Sequence, residues 1–456
     1  MKPPGSPAPA AWQTYRFIAH PTEYMRAIRA RYGDIVSFRS LLGEGIAVFE
    51  AGLAREVFSA PPETFEAIPL TEALFGGAAV IAVSGERHKK LRKLLNPPFH
   101  GAQVRAFLGA MQSAIRGNLR ALSAASTSGA ALRMTDVSQA MALDVILETV
   151  FGSADLDRDE ARKVLVDVIR GFAPSIVGGA TLHKPWFPPW RRYVKARGAF
   201  DAWLTRVVRA RRAHAEGNGG YGADVLGVLL AARYEDGEPM ADFEVRDQLF
   251  TLLLAGHETS AIAMAWCVHH LLRNPGVLAI LRAEIDALGP DPAPEAVAKL
   301  KYLDAVVCET LRIEPIVTDV VRVCREPLTL GGRWTVPEGR VIAVMLGSIL
   351  RDARTFPEPE RFRPERFLEQ RFAASEFVPF GGGARRCLGA SFAQNELALA
   401  VAEIVSRWEL APAAVGPERS VRRNLTMGPR HGVPIRILGP RSPCKAAAAA
   451  PVAAPP

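Results

Sequence analysis

The stretch "FGGGARRCLGA", Phe380 to Ala390, constrains what this chain can fold into more than any other. Gly381, Gly382, Gly383 and Gly389 free the backbone for a tight loop whose N–H groups can point at the sulfur of Cys387. Arg385 and Arg386 stand just before the cysteine, and helical spacing begins just after it in "LGASFAQNELALAVAEIVSRW", adding the positive end of a helix. A thiolate that binds a metal needs donors and positive charge of this kind. The plain alternative is a small buried hydrophobe in a glycine turn. The remainder of the chain has to decide between the two.

With 456 residues and 49% hydrophobic content, the chain can bury a large core. Its five cysteines (Cys267, Cys308, Cys324, Cys387, Cys444) are scattered, without the paired spacing of a disulfide framework or a zinc site. That usage points to a reduced, cytoplasmic setting. The start, "MKPPGSPAPAAWQTY", lacks the apolar run of a signal peptide. No stretch reaches the roughly 20 apolar residues of a membrane span, and the longest candidate, Leu249 to Val268, is interrupted by His257 and Glu258. Residues 1–11 and the Ala/Pro-rich residues 441–456 read as disordered tails around a body of residues 12–440. A net charge of +9 admits nucleic acid, an anionic surface or an acidic protein as partner. The basic residues are not interleaved with aromatics, so nucleic acid is set aside. Of the two basic clusters, "RHKKLRK" (Arg87 to Lys93) is the more suggestive; Arg191 to His214 reads as a solvated helix face.

A coarse pass gives the organisation. "DIVSFRS" and "GIAVFEA" alternate and read as a β-hairpin. From about Leu53 to Leu311 the periodicity is mostly helical, broken by "PLTEALFGGAAV" and "GGATLHKPWFPPW", both read as long loops. Short strand signals follow Pro315 ("VVRVC", "LTLGG", "WTVPEG", "VIAVML"), then the irregular "DARTFPEPERFRPERF". A mostly helical body with strands at both ends and no linker argues a single α+β domain, mainly α with small sheets.

Two further motifs bear on the cysteine. "LLLAGHETSA", Leu252 to Ala261, sets Glu258 and Thr259 inside an apolar helical run with an interior Gly256. An acid–alcohol pair is expensive in such surroundings unless it is used, and a carboxylate beside a hydroxyl is what a proton relay requires. "ETLR" adds Glu309 and Arg312 at i,i+3 spacing, a pair common on exposed helices and informative only through its order along the chain.

In that order the motifs resemble the cytochromes P-450, the haem-thiolate monooxygenases, over about Trp12 to Leu438. Phe380, Gly383, Arg385, Cys387 and Gly389 match the family's haem-binding loop, "AGHETS" its oxygen-activating groove, Glu309 and Arg312 its Glu-x-x-Arg pair, and Pro364 to Phe367 its Pro-Glu-Arg-Phe segment. The resemblance implies a triangular-prism fold with haem b between a central helix of about Asp242 to Arg273 and the helix starting near Cys387. Cys387 would be the axial thiolate on iron. Thr259 would hold dioxygen and Glu258 would feed it protons, with Ala255 and Gly256 beside the cofactor. Glu309 and Arg312 would form a buried network with Arg366, or with Arg363, since "PERF" occurs twice. His88, Arg92, Arg322 and Arg385 would receive the haem propionates.

The same resemblance implies a substrate pocket walled by Leu70 to Val83, Val166 to Ile176 and Ala255, and closed by Val317, Thr318 and Met427. Its apolar lining argues a lipophilic substrate, such as a terpenoid, steroid, fatty acid or macrolide-like compound. Electrons would come from NAD(P)H through a ferredoxin reductase and a ferredoxin docking on "RHKKLRK" and Arg386, with the enzyme a cytoplasmic monomer. His257 in the groove and Glu314 after the Glu-x-x-Arg helix depart from the family pattern and leave their own roles open. A haem-thiolate isomerase or dehydratase would lack the acid–alcohol pair, and a haem gas sensor would want an output domain. Neither reading fits the motifs as well.

Overall fold

The central helix, Asp242–Arg273, forms the axis of the molecule. Its N-terminus is capped from within, the Glu244 carboxylate accepting the Ala241 N–H at 3.0 Å, and Asp242 and Glu244 complement the positive helix end. Apolar residues run right round it from Leu249 to Leu271, as expected of a helix enclosed by protein rather than facing water on one side. It packs against the helices Met134–Phe151, Pro188–Asn218, Lys301–Ile313 and Ala390–Arg407. Trp266, Phe250, Met264 and Leu249 sit in the resulting core at 1% exposure or less. The structure is a computed structural model that describes residues 1–441 except 42, 130, 153–155, 173–182, 219, 415 and 424.

Beside this helical body lies a five-stranded sheet. Ile35–Ser40 and Gly43–Val48 form the expected hairpin, with Ile35 opposite Val48. Gly43–Val48 then pairs in parallel with Val341–Val344, which pairs antiparallel with Val320–Cys324, and Phe65–Glu66 closes the edge. The strand Val320–Cys324 turns Arg322 and Cys324 inward, as strand alternation demands. A short hairpin, Ser420–Arg422 with Met427–Pro429, packs against the central helix.

Two expectations are corrected. Residues 1–11 are not a free tail: the Pro4 carbonyl accepts the Ser37 N–H at 2.8 Å, Met1 exchanges backbone bonds with Arg333 and Thr335, and a helix begins at Ala10. Proline carbonyls can still accept although the residue donates nothing, so the segment satisfies an otherwise open strand edge. "PLTEALF" is a helix, Pro69–Phe75, rather than loop. Proline at its first position and Gly76, at φ 98°, just past its end are the ordinary punctuation of a short helix. Part of the second expected loop, the end of the 166–176 wall and the C-terminal residues 442–456 lie outside the described residues.

Candidate active site

The cysteine loop is closed by its own backbone. The Cys387 N–H donates to the Phe380 carbonyl at 2.9 Å and the Arg386 N–H to the Gly383 carbonyl at 3.0 Å. The helix Ala390–Arg407 starts three residues on, with Gly389 at its cap. Two glycines are required here by space. A Cβ on Gly383, whose φ is 67°, would fall 2.2 Å from the Phe58 carbonyl oxygen, and one on Gly382 would fall 2.4 Å from the Phe58 ring. The loop is pressed onto the helix Ala51–Ser59, which fixes where the sulfur points.

Cys387 differs from its fellow cysteines. Cys267, Cys308 and Cys324 are buried, and burial pushes all three thiols up, Cys267 to about 12 and Cys324 to about 11. Cys387 is accessible. Crowding by protein raises its thiol too, but the Gly389 N–H and the guanidinium groups of Arg386 and Arg92 pull the other way. It alone, among the described cysteines, has donors and cations trained on sulfur.

Four cationic or basic side chains converge beside it. Arg92, on the helix Gly85–Leu95, donates to the Arg386 carbonyl at 2.9 Å; Arg322 donates to the Gly382 carbonyl at 3.0 Å; Arg385 donates to the Val83 carbonyl at 2.7 Å and to Ser84 Oγ at 3.1 Å. His88 is pushed down to about 4 by burial and then by Arg385, Arg92 and Arg322. Arg322 is lowered to about 10 by burial and Arg385. None of the three arginines has a carboxylate partner among the described residues, their hydrogen bonds going to carbonyls and a hydroxyl. So much uncompensated positive charge is unfavourable on its own and suits a polyanionic ligand.

On the central helix, Ala255 is exposed and Thr259 half-buried, one turn apart on the same face. The Thr259 hydroxyl donates to the Ala255 carbonyl at 2.7 Å. Burial pushes the Glu258 carboxyl up, while Arg423 and Thr426 of the C-terminal hairpin hold it back. Gly256 does not join this face. A Cβ there would come within 2.7 Å of Ile146 Cδ1, so this glycine lets the central helix approach the helix Met134–Phe151. His257 turns away as well, its Nε2 lying 3.1 Å from the Gln139 carbonyl, and burial disfavours the charged form of its ring.

The buried network forms as the motifs suggested. Arg312 grips Glu309 with two bonds of 2.7 and 3.0 Å, and Arg366 Nε reaches the same carboxylate at 3.1 Å. All three side chains are 2% exposed or less. Arg366 of Pro364–Phe367 therefore enters; Arg363, which lies between the two "PERF" copies, lends only its backbone N–H, at 2.8 Å, and pairs its guanidinium with Glu369. Glu314 faces away from the site, beside His270 at 3.4 Å and Arg351.

Val317 and Thr318 are half-buried and Met427 is buried, its N–H donating to the Ile316 carbonyl at 2.7 Å. Several residues escaped the sequence reading. Asp247 and Gln248 of the central helix hold the segment 78–80 through the N–H groups of Ala78 and Val80, and Arg197 bridges Asp247 to the Leu74 carbonyl. Arg423 and Thr426 flank Glu258. The only signal for the latter was a pair of arginines in "SVRRNLTM" near the end of the chain.

A family profile described as Cytochrome P450 matches residues 3–434. The putative cytochrome P450 135B1 of Mycobacterium tuberculosis is 31% identical over 449 residues, covering 96% of this chain and 92% of that protein. The putative cytochrome P450 137 of the same species is 34% identical over 452 residues, covering 95% and 91%. Among solved structures, retinoic acid bound cyanobacterial CYP120A1 superposes with a TM-score of 0.82 at 24% identity, covering 96% of this chain and 99% of that one. The heme domain of cytochrome P450DA gives 0.83 at 23% identity, covering 97% and 98%. The chain belongs to the cytochrome P450 family, a family of haem-thiolate monooxygenases that use dioxygen.

The residues present fit the haem this family carries. An accessible cysteine on a fixed loop offers one axial ligand, and the acid-free cluster of Arg92, Arg322 and Arg385 with His88 offers donors to two carboxylates. Among the described residues no helix is long and apolar enough to cross a membrane.

Proposed function

We propose that Cys387 is the axial thiolate, that His88, Arg92, Arg322 and Arg385 hold the propionates, and that the enzyme inserts one atom of dioxygen into a lipophilic small molecule. The observation that carries this reading is the convergence beside one accessible cysteine of three arginines with no carboxylate partner among the described residues. Haem held by a thiolate supplies dioxygen activation, the sulfur's electron density favouring O–O cleavage. The chain's own residues do the rest. The Phe380–Gly389 loop fixes the sulfur and, with Arg386 and Arg92, stabilises its charge. Thr259 directs protons at the oxygen site, and Glu258, whose carboxyl burial pushes upward, is the acid beside it that can pass protons on. The charge of Arg423 beside that carboxyl offsets part of the effect of burial. Glu309, Arg312 and Arg366 brace the chain behind the loop.

Electrons reach such a site from NAD(P)H through a ferredoxin reductase and an acidic ferredoxin, for which Lys89, Lys90, Lys93 and Arg386 offer a docking face beside the cysteine loop. A cytoplasmic monomer suits this supply. The test is turnover under isotopically heavy dioxygen with a lipophile that shifts the haem spectrum. One heavy oxygen atom per product is expected; product carrying only water-derived oxygen, or formed without dioxygen, would refute a monooxygenase.

A further inference from the structure

The C-terminal hairpin packs on the central helix beside Glu258 and carries an arginine with no hydrogen-bond acceptor among the described residues. Met427 is tied to the Ile316 carbonyl, and a Cβ on Gly428 would lie 3.2 Å from Ile262 Cδ1, so the hairpin is wedged between residues 316–319 and the central helix just past Thr259. The segment 317–319 leads directly into Val320, whose Cγ1 would lie 3.7 Å from a Cβ on Gly381 in the cysteine loop. Arg422 stands directly opposite Met427 in the hairpin, so the two side chains share a face.

The guanidinium of Arg422 rests over the Phe17 ring, 4.9 Å from its centroid. Its nearest acid, Asp319, is 3.8 Å away, too far for a hydrogen bond, and that carboxylate already accepts from the Thr318 hydroxyl at 2.9 Å. Nε and Nη2 are buried with no acceptor, and no hydrogen bond from the group reaches any described residue. The side chain is only 18% exposed. The neighbouring Arg423, by contrast, donates to the Pro429 carbonyl at 3.0 Å and faces Glu258. An enclosed guanidinium left without acceptors is costly, and a carboxylate is the acceptor whose two oxygens match its fork.

Resting on the monooxygenase reading above, we propose that Arg422 binds the carboxylate of the substrate and that the enzyme oxidises lipophilic carboxylic acids. An acid head held at the hairpin, between Phe17, Asp319 and Met427, leaves the apolar body to extend along Val317 and Ala255 toward Thr259. Asp319 sets the geometry by occupying one side of the guanidinium and disfavours acids that carry a second charge there.

The probe is a series of saturated fatty acids of increasing length, each with its methyl ester and its primary amine, titrated into the holoprotein while the haem spectrum is followed. At the best chain length the acid is expected to bind at least about tenfold more tightly than the ester, and the amine more weakly still. Arg422→Leu should erase the preference for acid while leaving ester affinity within about twofold, and Arg422→Lys should keep most of it. Arg422→Gln keeps the stem over Phe17 and replaces the leucine variant should that one lose its haem. Esters binding as tightly as acids in the wild type, no member of the series binding, or an acid preference that survives in Arg422→Leu would each overturn the proposal. The carbon monoxide spectrum of the same wild-type sample separates this failure from failure of the haem-thiolate reading, because it does not depend on Arg422.

Discussion

Thr259 is where the chemistry of the central helix is most exposed to test. Its hydroxyl donates to the Ala255 carbonyl, an i−4 bond that a helix does not need for its stability, since alanine is the better helix former. The hydroxyl also lies on the accessible face, while its neighbours Ser260 and His257 are committed to Glu396 and Gln139. Thr259→Ala should therefore fold and bind substrate normally and oxidise reduced cofactor at a comparable rate. The electrons should leave as hydrogen peroxide rather than as product, because protons are no longer directed. The ratio of peroxide to product measures this; an unchanged ratio would show that the hydroxyl of Thr259 has no part in the reaction. The motif around Thr259 was legible because an acid and an alcohol inside an apolar run have no cheap structural reason. That Gly256 admits Ile146 was not legible, since a helical glycine carries no mark of which neighbour it lets approach.

At the scale of elements, the central helix and the helix after Cys387 are joined by a buried acid. Ser260 Oγ donates to Glu396 at 2.6 Å, and burial raises this carboxyl from 4.5 to about 8, so the folded protein holds it neutral at neutral pH. In the unfolded chain it ionises at its ordinary value. The folded state therefore binds more protons between about pH 4.5 and about pH 8, and stability falls as pH rises through that window. Glu396→Gln, which preserves shape and hydrogen bonding, should flatten this slope and gain on the order of 1–3 kcal/mol at the alkaline end. Thermal unfolding of both proteins across the window checks it; parallel curves would mean that Glu396 ionises freely. Elements with strong local punctuation were readable from sequence, as the Ile35–Val48 hairpin and the short strands after Pro315 were. Pro69–Phe75 was missed although proline and glycine bracket it, because seven residues are too few for periodicity to register. The N-terminal segment was missed because its order comes from Ser37 and Thr335, partners far along the chain.

At the scale of the whole molecule, segments distant in sequence meet at the cysteine loop. Arg92 ties the helix Gly85–Leu95 to the cysteine loop, so the exposed Lys89 and Lys93 of that helix lie beside the route by which electrons would enter. They pair with Glu86 at 3.4 Å and Glu235 at 2.9 Å, exposed to solvent, and such surface pairs contribute little to stability. Reversing the charge at Lys89, Lys90 and Lys93 should slow electron delivery from a ferredoxin, most at low salt, and leave peroxide-supported turnover nearly intact. Equal losses in both assays would instead place these lysines in folding or haem retention. The order of motifs identified the family, because each is weak alone and their sequence along the chain is not. Contacts between distant segments stayed hidden: Arg423 beside Glu258, Arg197 beside Asp247 and Arg422 over Phe17 without a hydrogen-bond acceptor are products of packing, which no local pattern encodes.

The central claim is that Cys387, alone among the cysteines, is the axial thiolate. The most direct measurement is the absorption spectrum of the reduced protein under carbon monoxide, for the wild type and for Cys387→Ala, with Cys267→Ala, Cys308→Ala and Cys324→Ala beside them. The wild type should show the long-wavelength band that a thiolate trans to carbon monoxide produces. Cys387→Ala should lose that band or the haem itself, while the other three variants keep it. The same band in Cys387→Ala as in the wild type would contradict the account.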